Sequence, residues 1–162
     1  MDKALQLCFR FVAYVMFGFS MEVVFAVTGI DRMLGYRLER RVPRKYLEGW
    51  VSLWMAPLHG FGVLFGFELV HDWVGGWAWP LRYLVWCLVF TFAEIAYGWL
   101  CDKVLGFHSW DYYAQSRFRI HARGYSLWTL LPAWGAAGML MELYSGLMRH
   151  LSPHVAGYFL GG

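Results

Sequence analysis

A chain of 162 residues that is 59% hydrophobic, 20% aromatic and only 15% charged is too apolar for a water-soluble domain. With a mean hydropathy of +0.42 it has the composition of a membrane protein. The net charge of +3, with no basic run interleaved with stacking aromatics, excludes a nucleic-acid groove.

Taken in chain order, four segments supply the roughly 20 apolar residues that a helical crossing needs. The first is 4–30, which carries Glu22 and is too long, with no small-residue cleavage site, for a cleaved signal; it is expected to remain as a spanning helix. A basic loop over about 31–49, "DRMLGYRLERRVPRKYLEG", leads to the second segment, 50–70. An aromatic, glycine-rich turn, "HDWVGGWAWP", leads to the third, 81–101. A second basic loop over about 102–123, "DKVLGFHSWDYYAQSRFRIHAR", precedes the fourth, 124–148. The tail beyond Arg149, broken by Pro153 and glycines, is too short to span. The expected fold is therefore an all-α integral membrane protein, a single transmembrane domain built as a four-helix bundle. Cys8, Cys87 and Cys101 follow no metal or disulfide spacing and read as core thiols.

Four crossings put both termini on one face and both basic loops on the other. The loops hold ten Lys and Arg residues; the terminal face holds four, Lys3, Arg10, Arg82 and Arg149. By the positive-inside rule the loops lie in the cytoplasm, the termini outside, and the membrane is the cytoplasmic (inner) one.

The hexapeptide Asp31 to Tyr36, "DRMLGY", returns as Asp102 to Phe107, "DKVLGF". Glu22 and Glu94 precede the two copies, and Trp54, Pro57, Gly60 and Glu68 are echoed in order by Trp128, Pro132, Gly135 and Glu142. Self-similarity at one long period marks a duplicated unit, here repeat 1 over about 4–70 and repeat 2 over about 81–148. Each unit crosses twice, so the two are parallel and related by a pseudo-two-fold axis along the membrane normal.

Carboxylates within spanning helices are costly and usually face a bundle interior or a cavity. At 1.5 Å per residue Glu22, Glu94 and His59 lie about 12, 10 and 14 Å below the loop face, a common depth at which they can converge on one site. Paired acids could share a proton, bind a cation or, with the imidazole, do acid and base work. His59 alone reads as a hydrogen-bonded core residue, and its counterpart in the other half is Trp134. Glu68 and Glu142 read as solvated helix ends. His71, Asp72, His150 and His154 could be drawn as a metal site, but the first two have no helical i, i+4 pairing, so no metal site is expected. Trp110, Asp111, Tyr112 and Tyr113, beside Arg117, Arg119 and Arg123, exceed what a linker needs: such aromatics with arginines suit lipid-phosphate binding or, by default, anchoring at the interface, and Asp111 suits a defined turn folded back over a cavity mouth. Glycines 60, 62, 66, 135 and 138 suit close helix packing, and Pro57 and Pro132 are expected to kink their helices.

The stretches "FSMEVVF", "APLHGFG", "FAEIAYGWLCDKVLGFHSWDYY" and "PAWGAAGMLMELY" together resemble the ABC-transporter type IV permease family, small polytopic proteins with a Trp-Asp-Tyr signature. Nearly the whole chain takes part, most strongly 90–144. Gly18 to Glu22 is similar to that family's Gly-x-x-x-Glu motif, and Pro57 to Gly62 to its Pro-x-Tyr-Gly-x-Gly motif, with His59 in place of the tyrosine. Tyr113 replaces a serine after the signature; Gly124 is kept, without the usual Asn. The resemblance implies a transport role. No Gly-x-x-x-x-Gly-Lys-Ser/Thr loop is present, so an ion gradient or a separate ATPase subunit would have to drive it. The leading expectation is a permease-like protein that binds or translocates a small ligand or ion between the repeats, through Glu22, Glu94, His59, Trp110, Asp111 and Tyr112. The alternatives are an assembly subunit of a larger membrane complex and a membrane enzyme acting on a lipid or isoprenoid. Four helices make a thin wall, so a homo-oligomer or a membrane-protein partner is expected; the residues specify no cofactor.

Overall fold

The computed structural model describes residues 2–161, and among them the fold is all-helical, with four long rods and no strand. The first rod is a helix over Asp2–Thr28, followed after Gly29 by the short helix Ile30–Leu34. Its polar side chains cost little, because Ser20 and Thr28 return their hydroxyls to the carbonyls of Met16 and Val24, 2.8 Å away in each case. Gly35, at φ 74°, ends this section, in a left-handed conformation that favours a residue without a Cβ.

The second rod, Leu53–Val74, starts with a tight turn in which Ser52 accepts from the Trp54 amide. It widens to π geometry over Leu58–Phe67 and returns to α geometry over Glu68–Val74. The third, Trp79–Leu105, is joined to it by a turn of four residues. These first three rods are long and apolar enough to cross a bilayer. The fourth, Leu131–Leu160, is 30 residues long but carries Glu142, Arg149, His150 and His154, and does not meet the same measure of apolarity.

Pro57 and Pro132 stand near the starts of their rods: Pro132 lies in the first turn of its helix, where the missing N–H has no intrahelical acceptor to serve, and Pro57 directly precedes the π stretch. One expectation about the tail is corrected. Pro153 does not end the last helix, which runs on to Leu160, so the tail read as broken is helical. Proline deprives the Arg149 carbonyl of its usual donor, and the Ser152 hydroxyl supplies one instead at 3.1 Å.

The fourth helix packs along both the third and the first, and the first packs on the second. Tyr14 and Trp86 are fully enclosed where the rods meet, with Phe67 stacked on Trp86 at 4.3 Å between ring centres. Gly60 lets Phe11 approach its backbone, Gly18 lies against His59, Gly135 against Tyr83 and Cys87, and Gly138 against Trp86; a Cβ at any of these would collide with its neighbour. Cys87 and Cys101 are core thiols as expected, whereas Cys8 is exposed.

Glu68 and Glu142 are not solvated helix ends. Both are buried, each with an arginine and an aromatic donor from the preceding rod. Arg10 and the Tyr14 hydroxyl reach Glu68 at 2.5 and 2.6 Å. Arg82 and the Trp86 indole reach Glu142 at 3.0 and 2.7 Å. In both cases the two donors are one helical turn apart, so they meet the carboxylate from one face. Arg149 adds a cross-link by gripping Asp72 at 2.6 Å. Breaking such a pair from one side leaves a buried charge and costs roughly 3–5 kcal/mol, whereas replacing both partners by apolar side chains costs far less. Arg82→Met is therefore expected to lower the melting temperature of the detergent-solubilised protein sharply, and Arg82→Met with Glu142→Leu to recover most of the loss.

Candidate functional site

On the side of the bundle where the two long loops lie, the rods diverge around a cavity of about 270 Å³. Glu22 of the first rod, His59 of the second and Glu94 of the third all line it, so the common depth read from the sequence does bring them to one space. Glu22 and His59 share a hydrogen bond at 2.6 Å. Glu94, 7% exposed, accepts from the Trp134 indole at 3.1 Å and from the Ser126 hydroxyl. His59 and Trp134 thus each bond one of the two acids. The two cavity acids differ from Glu68 and Glu142 in one decisive respect: no lysine or arginine reaches either of them among the described residues.

The cavity is roofed by the segment 108–127. Trp110 is buried and lines the wall, its indole donating to the Tyr125 carbonyl at 2.8 Å. Its ring lies against Gly98 of the third rod, where any larger side chain would displace it. Gly124, at φ 70°, packs directly on the backbone of Tyr113 and Ala114 and closes the loop on itself. Two bonds tie this roof to the end of the first rod, Tyr36 donating to the Tyr112 carbonyl at 2.5 Å and Ser116 to Leu34 at 2.7 Å, and Thr129, just beyond the roof, donates to Met33 at 2.6 Å. Tyr112 and Tyr113 also line the cavity, and burial, reinforced by the nearby carboxylates, pushes both phenols well above their usual range. They remain neutral donors at any physiological pH.

Asp111, in contrast, is exposed and is not part of the cavity wall. It opens the short turn Asp111–Gln115 on the outer surface of the roof, because in that turn its neighbours Trp110 and Tyr112 take the inward places. The roof is anchored by a different acid. Asp102 accepts from Arg123 and from the Tyr125 hydroxyl, the latter at 2.6 Å. Asp31 holds the same place in the first loop, 3.6 Å from Arg40 and 3.5 Å from Arg44. Gly106, at φ 76°, matches Gly35 in ending its rod, although Leu34 is buried and Leu105 is exposed.

Two contributors were not evident from the sequence. Ser126 lies in an irregular segment whose pattern gives no facing. Ser109 also lines the cavity, although its hydroxyl is itself buried, without a hydrogen-bond partner among the described residues. Gly62 and Gly66, expected to serve close packing, line the cavity instead; a Cβ at Gly66 would meet open space. Among the described residues no cluster of side chains suited to a metal ion is present, and Asp72 is engaged by Arg149.

Buried acids between apolar rods, under a roof built from interhelical loops, define a polytopic helical membrane protein. The family model described as "Putative ABC-transporter type IV" matches residues 9–156, and the chain belongs to that family. No curated protein and no solved structure gives a significant match.

Because Trp110 seats on Gly98, Gly98→Leu is expected to lift the roof without disturbing the rods. Limited proteolysis at Arg117 and Arg119 should then be several-fold faster in the variant while its helical circular dichroism stays unchanged.

Proposed function

We propose that the chain crosses the membrane four times as two parallel two-helix repeats, and that the cavity between them binds a small ligand for passage across the bilayer, as the family's name suggests. The repeat reading is supported by correspondences beyond the doubled hexapeptide. Arg10, Tyr14 and Glu22 recur as Arg82, Trp86 and Glu94, each with the same offset, and each arginine and aromatic pair serves the glutamate of the following rod. The polar tail of the fourth rod is compatible with a crossing, because Glu142 and Arg149 are both engaged by partners from other rods. The excess of Lys and Arg on the loop face favours a cytoplasmic placement for the roof.

The observation that carries the binding reading is the unequal treatment of the four glutamates within the rods. Glu68 and Glu142 are both paired with arginine. Glu22 and Glu94 have neutral or imidazole partners and face a space. An intramembrane carboxylate left without a fixed cation is the place where a ligand, ion or proton can make a difference in energy.

Two experiments test this. Purification from native membranes in mild detergent, followed by native mass spectrometry, is expected to reveal a bound small molecule that is absent from the Glu22→Gln, Glu94→Gln double variant. A protein partner at fixed stoichiometry with both forms, and no small molecule with either, would instead identify an assembly subunit. For topology, a reporter at the C-terminus should lie on the same side as one inserted at Gly76 and opposite to one at Gln115. A C-terminal reporter on the Gln115 side would leave only three crossings.

A further inference from the structure

The cavity is polar at one end and apolar at the other. Toward the roof it presents Glu22 and Glu94. Toward the bilayer centre it is walled by Phe67, Val89 and Met141. His59 and Phe67 are eight positions apart on one rod, so the two ends are separated by on the order of 10 Å. The wall is also incomplete. The second and third rods are neighbours in sequence but approach each other little; Phe67 against Trp86 and Phe90 closes the lower end of the gap, the Tyr97 hydroxyl donating to the Trp54 carbonyl closes the upper end, and Gly62, Gly66 and Ala93 lie between. Gly62 and Gly66 are exposed as well as cavity-lining, so the gap connects the cavity with the surroundings of the bundle, which in a membrane are acyl chains.

We propose that the ligand is a single-chain amphiphile with a protonated amine head, which reaches the cavity sideways from the bilayer between the second and third rods; this rests on the binding reading above. Carboxylates only accept hydrogen bonds, so an ammonium head with three donors complements Glu22 and Glu94, and an anionic head would be repelled by them. The chain lies along Val89 and Phe67 and passes out beside Gly66. A short hydrophilic amine would leave the apolar end unfilled and gain none of the burial. The amine can belong to a lipid headgroup or to a free amphiphilic amine.

The test is photolabelling of the full-length protein in phosphatidylcholine nanodiscs, using a dodecylamine with a mid-chain diazirine. Saturable labelling is expected within 58–67 and 89–94, competed by dodecylamine but not by dodecanoate or ethylamine. Competition by lysophosphatidylethanolamine would assign the amine to a lipid headgroup, and its failure to a free amine; either supports the proposal. Glu94→Gln should weaken labelling by about tenfold or more, the size expected for losing a charged hydrogen bond. Gly66→Leu, whose side chain enters open space and so preserves the fold, should block access to a similar degree. Equal competition by ethylamine or by dodecanoate would overturn the ligand class while leaving a small-ligand cavity in place. Unsaturable labelling confined to outward residues such as Leu88 and Phe92 would overturn the proposal; if native purification also yields no small molecule, the binding reading falls with it.

Discussion

A carboxylate held among apolar helices must find donors or a counter-charge inside the protein, since the surrounding hydrocarbon offers neither. This chain buries or half-buries four such glutamates, and the arrangement of its rods follows from how each is served. Two are closed off by arginines from the preceding rod, which fixes the first rod to the second and the third to the fourth. The fourth rod then packs between the first and the third, bringing Tyr14 and Trp86 to the centre of the molecule. In that half the buried carboxylates are matched as charged pairs.

The other half is built on a different rule. Its two acids meet indole, hydroxyl and imidazole groups, and the space beside them is left open under a roof that two hydrogen bonds tie to the end of the first rod. The proposed function uses this contrast: the arginine-paired acids hold the scaffold rigid, and the acids without arginine hold the site. Natural proteins tend to leave such local dissatisfaction where function needs it and compensate elsewhere.

The sequence made much of this legible. Hydropathy located the first three rods to within a few residues at most ends, and the doubled Asp to Gly joint pointed to the buried acids upstream. The left-handed glycines at 35 and 106 and the arginines on Asp31 and Asp102 show the two joints to be alike in geometry as well as in spelling. Other features could not be read locally. The pairs Arg10 with Glu68 and Arg82 with Glu142 join residues 58 and 60 positions apart, so each glutamate looked like a solvated end. The sequence did hold one signal for them, since Arg10 and Arg82 keep the offset of Glu22 and Glu94. Pro153 misled because a proline normally ends a helix, and only the adjacent Ser152 restores the lost donor. Glycine spacing gave no facing, so Gly62 and Gly66 were assigned to packing when they border the cavity. Asp111, in the signature of the family, lies outward while its aromatic neighbours turn in.

The division of labour between the two kinds of acid can be measured directly by comparing thermal unfolding of the four single variants Glu22→Gln, Glu68→Gln, Glu94→Gln and Glu142→Gln in one detergent. If Glu68 and Glu142 hold the scaffold and Glu22 and Glu94 hold the site, the first pair of substitutions lowers the melting temperature strongly, whereas the second leaves it unchanged or raises it. Equal losses at all four positions would contradict the account, because every buried acid would then serve packing alone.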